Sequence, residues 1–218
     1  MHPQPRSAAA DAAHDSPSKW AVLAAVGLGT FMSALDISVI NLALPAIQQT
    51  FSASIAAVEW VAIIYLLLVS GLLLSFGRVG DLYGHRRIYL AGFVGFIISS
   101  VLCGLAPSAL ALVALRAVQA VGAAMLSANS PAILTKAFPA RQRGQALGLQ
   151  ATMTYLGLTL GPFIGGWLTQ AFTWRAVFFI NLPVGLAALA LSYRFVPHDH
   201  PATRTGVFDW PGALLFMS

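Results

Sequence analysis

At 218 residues, 58% of them hydrophobic and only 9% charged, with a mean hydropathy of +0.77, the chain lies well above the roughly 45–50% apolar content of soluble domains, which excludes a water-soluble globular fold. One cysteine, Cys103, excludes an intrachain disulfide and a cysteine-rich metal site. The net charge of +5 is scattered over the ends of apolar runs, not gathered into one patch, so no nucleic-acid partner is expected.

In chain order, residues 1–18 are rich in Ala, Pro, Ser and His and read as a disordered tail. No basic stretch leads directly into a short cleavable apolar run, so no signal peptide is expected. Crossing a hydrocarbon core of about 30 Å takes about 20 apolar residues. Six runs meet this: Trp20–Leu44, Ala57–Phe76, Ile88–Ala106, Leu110–Leu134, Ala146–Gln170 and Val177–Val196. They lack the alternation of barrel strands, and open sheet edges cannot face lipid, so they must be helices. A seventh run begins at Pro211. The expected organisation is a tail at 1–18, a six-helix transmembrane bundle at 19–197, a loop at 198–210 and the start of a seventh transmembrane helix at 211–218.

The basic residues sort by loop. Arg6 and Lys19 precede the first run, and Arg78, Arg86 and Arg87 follow the second. Lys136, Arg141 and Arg143 follow the fourth, and Arg194 and Arg204 the sixth, whereas the opposite side carries only Arg175. This is the positive-inside pattern, with the N-terminus cytoplasmic. Trp20, Trp60, Trp167 and Trp174 fall near run ends and read as interfacial anchors.

Asp36 and Arg116 are the two charges set inside apolar runs. An ionisable residue in the bilayer core is costly unless paired or facing a cavity, which makes it a functional candidate. Asp36 lies eight residues before Leu44, roughly 12 Å from the outer boundary, and Arg116 six residues after Leu110, roughly 9 Å from the same side. Loop counting therefore puts both at one depth in the outer half. Burial disfavours a charged carboxylate and a guanidinium favours it, so a carboxylate under both influences can take and release a proton as its cavity opens to alternate sides. Asp36 is then the proton-linked group and Arg116 its electrostatic partner. The competing reading is a static pair that fixes the first and fourth helices. Asn41, Gln119, Asn129, Gln150, Thr152 and Thr154 could line a substrate cavity or bond between helices. Glu59 reads as a hydrated interfacial residue. His14, His198 and His200 have no metal-site spacing, no nucleophile–base arrangement is visible, and no phosphate-binding loop occurs. No catalysis, metal, cofactor or ATP-derived energy is expected.

Four stretches together resemble one family. Gly77-Arg78-Val79-Gly80-Asp81-Leu82-Tyr83-Gly84-His85-Arg86-Arg87 is similar to the cytoplasmic signature loop of the major facilitator superfamily, departing from it at Leu82 and His85. There Gly84 would permit a tight turn, and Asp81 would accept hydrogen bonds from a helix N-terminus or from Arg86 and Arg87. The run Leu35–Pro45, the run Arg116–Ala124 with Ala120 replacing a glycine, and Gly157-Leu158-Thr159-Leu160-Gly161-Pro162-Phe163-Ile164-Gly165-Gly166 resemble its drug:proton antiporters. Trp60–Tyr65, Trp174–Pro183 and Phe208–Gly212 resemble the fourteen-helix, multidrug-efflux branch.

The resemblance implies an all-α fold of two inverted three-helix repeats in the plasma membrane, driven by the proton gradient without a cofactor. It implies small amphipathic drug-like substrates and a second, C-terminal half as partner. It implies that Gly77, Asp81, Gly84, Arg86 and Arg87 latch the two halves together. It further implies that the smooth face of Gly157, Gly161 and Gly165 meets the opposite half, with Pro162 bending the helix and Gly166 beside it. Tight packing of that face inside this half is the alternative. A nutrient symporter or uniporter, a seven-helix receptor and a non-transporting remnant remain as rivals.

Overall fold

The computed structural model describes residues 18–198. The expected tail, the loop from 199 to 210, the seventh run and the Phe208–Gly212 motif lie outside the described residues, as do Arg6, His14, His200 and Arg204. Within 18–198 the chain is helical throughout, with no strand. Helix α1 spans Lys19–Phe51 and runs on past Pro45, where the sequence pattern ended it. Ser52, at φ 49°, turns the chain out of it. Helix α2 (Ile55–Tyr83) and helix α4 (Ala109–Ala137) start in the same way: the Oγ of Ser54 accepts from the N–H of Ala57, and that of Ser108 from Ala111, both at 3.2 Å. Each satisfies one of the amides that a helix start leaves without a partner. Helix α3 is His85–Gly104, and a 3-10 turn at Ala140–Gln142 leads into α5, Arg143–Ala171. The sixth run is α6 (Ala176–Phe179) and α7 (Asn181–Phe195), joined at Ile180.

Five of these spans are long and apolar enough to cross a bilayer, the continuous Ala176–Phe195 among them. Helix α5, with 29 residues, has the length at about 1.5 Å per residue, but Gly, Thr and Gln dilute its apolar character. Sequence reading treated all six runs alike; α5 is the odd one.

The packing has the symmetry of a repeat. Helix α1 packs most extensively on α5, and α4 packs on α2 and α3, while α7 packs on α1. Exchanging the first three spans with the last three maps α1–α5 onto α4–α2, and α3–α4 onto α7–α1. That exchange is the signature of two inverted three-helix repeats. Two buried clusters fill the interior. Tyr65, Tyr89, Phe93, Phe96 and Met32 lead the one towards the Gly84 turn, and Val39, Ile47, Trp174 and Phe178 the other. Large apolar side chains such as Leu67, Leu74, Ile98, Leu110, Phe163 and Trp167 point outward, as a bilayer or an apolar partner requires. Trp20, Trp60 and Trp167 are among the exposed residues, but Trp174 is buried and donates from Nε1 to Thr50 Oγ1 at 3.0 Å. Its place at the run's end suggested an anchor; its indole is instead packed edge-on against Phe51 and Phe178.

Candidate functional site

The two intramembrane charges meet. Arg116 Nη1 lies 2.6 Å from Asp36 Oδ2, with Arg116 0% and Asp36 1% exposed. A guanidinium in that setting must use its donors, and it does: Nη1 also donates to Gln119 Oε1 at 2.8 Å, and Nε donates to the carbonyl of Val61 at 3.2 Å. Its face lies over the ring of Tyr65, 4.1 Å from the centroid, a cation–π contact strengthened by desolvation. The second carboxylate oxygen, Asp36 Oδ1, accepts from Gln119 Nε2 at 3.1 Å and from Asn181 Nδ2 at 2.7 Å. Three donors thus converge on this one carboxylate. The network draws on α1, α2, α4 and α7, and reaches α3 through Asn181 Nδ2 to Ser100 Oγ at 3.0 Å.

Gln119 therefore belongs to the charge network and not to a cavity wall. Asn181 was visible in the sequence only as part of a motif. The signal was present, an amide within an otherwise apolar run, but nothing local says that it reaches Asp36.

At the Gly84 end, the expected signature loop is not a loop. Gly77 and Asp81 are helical, and only Gly84, at φ 97° and ψ 125°, leaves the helical conformation between α2 and α3. Charge and glycine mark where the chain leaves the apolar layer, not where the helix stops. Asp81 pairs with His85, Oδ1 to Nε2 at 3.3 Å, one helical turn on, and not with Arg86 or Arg87. His85 Nδ1 meets Asn129 Oδ1 at 2.8 Å, so Asn129 is an interhelical tie and lines no cavity. Gly80 is small for a reason: a Cβ there would collide with Asn129 Oδ1 and lie 2.6 Å from His85 Nδ1. Buried Arg86 turns towards the sixth span, donating from Nε to the carbonyl of Val196 at 2.8 Å and from Nη2 to that of Tyr193 at 2.7 Å. Arg87 is exposed.

The glycine face of α5 is occupied within this half. A Cβ on Gly157 would lie 2.7 Å from the Phe31 carbonyl oxygen, one on Gly161 would overlap the Ser38 side chain, and one on Gly165 would lie 3.0 Å from Val39 Cα. Ser38 Oγ also donates to the Leu158 carbonyl at 2.8 Å. Helix α1 therefore fills the face expected to meet the opposite half. What α5 turns outward is Tyr155, Phe163 and Trp167, together with Pro162. A Cβ on Gly166 would make only an ordinary 3.6 Å contact with Leu42.

A cleft of ≈ 260 Å³ opens between α1, α4 and α5. Thr30, Ser33, Ser127, Ser130, Gln150 and Thr154 supply its polar atoms, and no charged residue lines it. Gln150 lines this cleft and donates to Thr30 Oγ1 at 3.3 Å. Asn41 is exposed and away from the cleft.

A family model described as Major Facilitator Superfamily matches residues 26–214. Among curated proteins, the chain is 39% identical over 200 residues to "Riboflavin transporter RibZ" of Clostridioides difficile (strain 630), covering 92% of this chain and 44% of that one. It is 39% identical over 196 residues to "Multidrug resistance protein Stp" of Mycobacterium tuberculosis (strain CDC 1551 / Oshkosh), covering 89% and 36%. It is 37% identical over 196 residues to "Tetracenomycin C resistance and export protein" of Streptomyces glaucescens, covering 90% and 36%. The chain thus spans less than half the length of these curated relatives. Among solved structures, a bacterial homolog of the human lysosomal transporter Spinster, in an inward-facing and occupied conformation, superposes with a TM-score of 0.73 at 21% identity. That match covers 88% of this chain and 47% of that one, and at this identity it speaks for the fold alone.

Proposed function

The chain belongs to the Major Facilitator Superfamily, and from that premise we propose that it is the N-terminal half of a proton-coupled exporter of small amphipathic compounds. The observation that carries this reading is the buried Asp36–Arg116 pair with its two amide donors. A carboxylate that accepts from three donors inside a membrane bundle can be neutralised by one proton, and neutralisation loosens ties to two other spans at once. The relatives named for multidrug resistance and for antibiotic export, and the α5 motif from Gly157 to Gly166, support export over uptake. The cleft beside Gln150 is this half's share of the substrate cavity, and a second bundle supplies the rest, against which this one rocks. The basic residues at the Lys19 and Gly84 end support a cytoplasmic location for that end and for the N-terminus, with the protein in the plasma membrane.

A second reading, transport of a neutral polar solute, is favoured by the uncharged lining of the cleft and by the relative named as a riboflavin transporter. The test is Asp36→Asn in the full-length protein, reconstituted in vesicles with an imposed pH gradient. Gradient-driven drug transport should vanish while gradient-free exchange continues. Gradient-driven transport at the wild-type rate would show that Asp36 does not carry the proton.

A further inference from the structure

Two buried atoms around Asp36 have no hydrogen-bond partner, Tyr65 Oη and Asn181 Oδ1. Asn181 Oδ1 is buried without a hydrogen-bond partner, although Asn181 is only 1% exposed and its Nδ2 is fully engaged. Buried polar groups without partners are rare and call for an explanation. Both ends of this amide lie beside Asp36, and that suggests one.

An ionised carboxylate can only accept hydrogen bonds, whereas a protonated one must also donate. The surroundings of Asp36 are built for the ionised form, with Arg116, Gln119 and Asn181 all donating. When a proton arrives, its O–H needs an acceptor. Gln119 Oε1 is already taken by Arg116 Nη1. Arg116 offers no acceptor at all. Tyr65 Oη is idle too, but Tyr65 engages the network through its ring on Arg116, whereas Asn181 Oδ1 is idle on a residue already bonded to Asp36.

We propose that Asn181 is a positioning residue that reads the protonation of Asp36 by turning its side-chain amide over, and passes the change to the sixth span through Ser100. With Asp36 ionised, Asn181 Nδ2 donates to Asp36 and to Ser100 Oγ, and the Ser100 hydroxyl donates to the Phe178 carbonyl at 2.9 Å, in the last turn of α6. With Asp36 protonated, half a turn about the amide's bond brings Oδ1 to the carboxyl O–H. Ser100 then donates to Oδ1 and releases Phe178. One end of the amide lacks a partner in either orientation, so neither state is locked. The joint at Ile180, between α6 and α7, gains or loses a tie from α3 with each proton. The titratable and charged groups that face Asp36 are Arg116 from α4, Tyr65 from α2 and Cys103 from α3.

The inference rests on Asp36 being the proton carrier, so the experiment separates the two. Acid-minus-alkaline infrared difference spectra of the full-length protein in lipid should contain a carboxylic acid C=O band that disappears in Asp36→Asn. In the wild type this band should lie at the lower frequency of an acid that donates a hydrogen bond. Asn181→Val should move it to the higher frequency of a free acid, and Asn181→Asp, which keeps the shape and an acceptor oxygen, should leave it low. A band that belongs to Asp36 but is unmoved by Asn181→Val overturns the role of Asn181. The absence of any band dependent on Asp36 overturns the proton-carrier reading instead, and this inference with it. Should Asn181→Val fail to fold, the near-isosteric Asn181→Leu, which also lacks an acceptor oxygen, still decides: the Asp36 band should again move to the higher frequency, and an unmoved band overturns the proposal.

Discussion

Removing either member of the buried pair should be costly, but the two losses should differ in size and in pH dependence. In Asp36→Leu, Arg116 keeps Gln119 Oε1, the Val61 carbonyl and the Tyr65 ring but loses its counter-charge. A guanidinium cannot shed its proton, so the full penalty of an unpaired buried charge applies, about 3–5 kcal/mol. In Arg116→Met, the carboxyl left behind can take a proton and become neutral, with Gln119 and Asn181 beside it. Protonation removes that unpaired buried charge as pH falls, although Gln119 Oε1 and the Val61 carbonyl still lack the donor they had in Arg116. Arg116→Met should therefore approach wild-type stability as pH falls, while Asp36→Leu stays destabilised throughout. The double variant should recover most of the loss, since replacing a whole buried pair by apolar groups is often neutral. Reversible unfolding in mixed micelles, followed by helical circular dichroism across pH, measures all three. If Arg116→Met is as damaging as Asp36→Leu and equally insensitive to pH, the pair is not balanced as described.

Two further outcomes follow from the packing. Gly161→Ala drives a methyl into Ser38 and threatens its bond to Leu158, whereas Gly166→Ala meets only Leu42 at 3.6 Å; overpacking at about 1–3 kcal/mol plus a lost hydrogen bond of about 1 kcal/mol should separate the two by roughly 2–4 kcal/mol in the same unfolding assay, and equal stabilities would show that the α1–α5 seam yields. Gly84→Ala forces a side chain into φ 97° at the one residue between α2 and α3; a cost of about 1–3 kcal/mol should appear as faster proteolysis at that turn, and unchanged cleavage would argue that the turn relaxes freely.

How far the sequence could be read depends on the range of each signal. Apolar length is a local property, so the positions of the spans were legible from residues alone. The shared depth of Asp36 and Arg116 came from counting, because a helix has a fixed rise. Facing direction is not local. The Gly157, Gly161 and Gly165 stripe says that something packs closely, but α1 and an opposite half offer equally good surfaces until the bundle is assembled. Asn129 and Gln150 show the same limit: two amides on long apolar runs, one tying down His85 and the other lining a cleft. The α2–α3 connection was misread for another reason, since glycine and charge end the apolar run well before α2 ends at Tyr83. Asp81 meets His85 four residues on across the break at Gly84, a proximity that the turn between α2 and α3 sets and that a loop reading does not provide.

The geometry also limits how a proton and a substrate can be coupled in this half. The cleft takes Gly29, Thr30, Ser33, Ala34 and Ile37 from α1. Asp36 sits on the same helix, about a quarter turn away around its axis, and its partners lie on α4 and α7. On the exporter reading, substrate in the cleft and a proton on Asp36 would therefore act on one helix from adjacent faces without touching each other. The glycine seam locks that stretch of α1 to α5 through Ser38 and Leu158, so the two helices must move together. Helix α4 carries Arg116 in the network and lines the cleft with Leu126, Ser127 and Ser130. A proton that weakens the grip of Asp36 on Arg116 thus frees α4 relative to the α1–α5 pair, and those are the elements that bound the cleft. On the exporter reading, the proton acts on the cleft through that movement of α4. Cross-linking α1 to α4 beside the cleft should then abolish transport, while cross-linking α1 to α5 across the glycine seam should leave it intact.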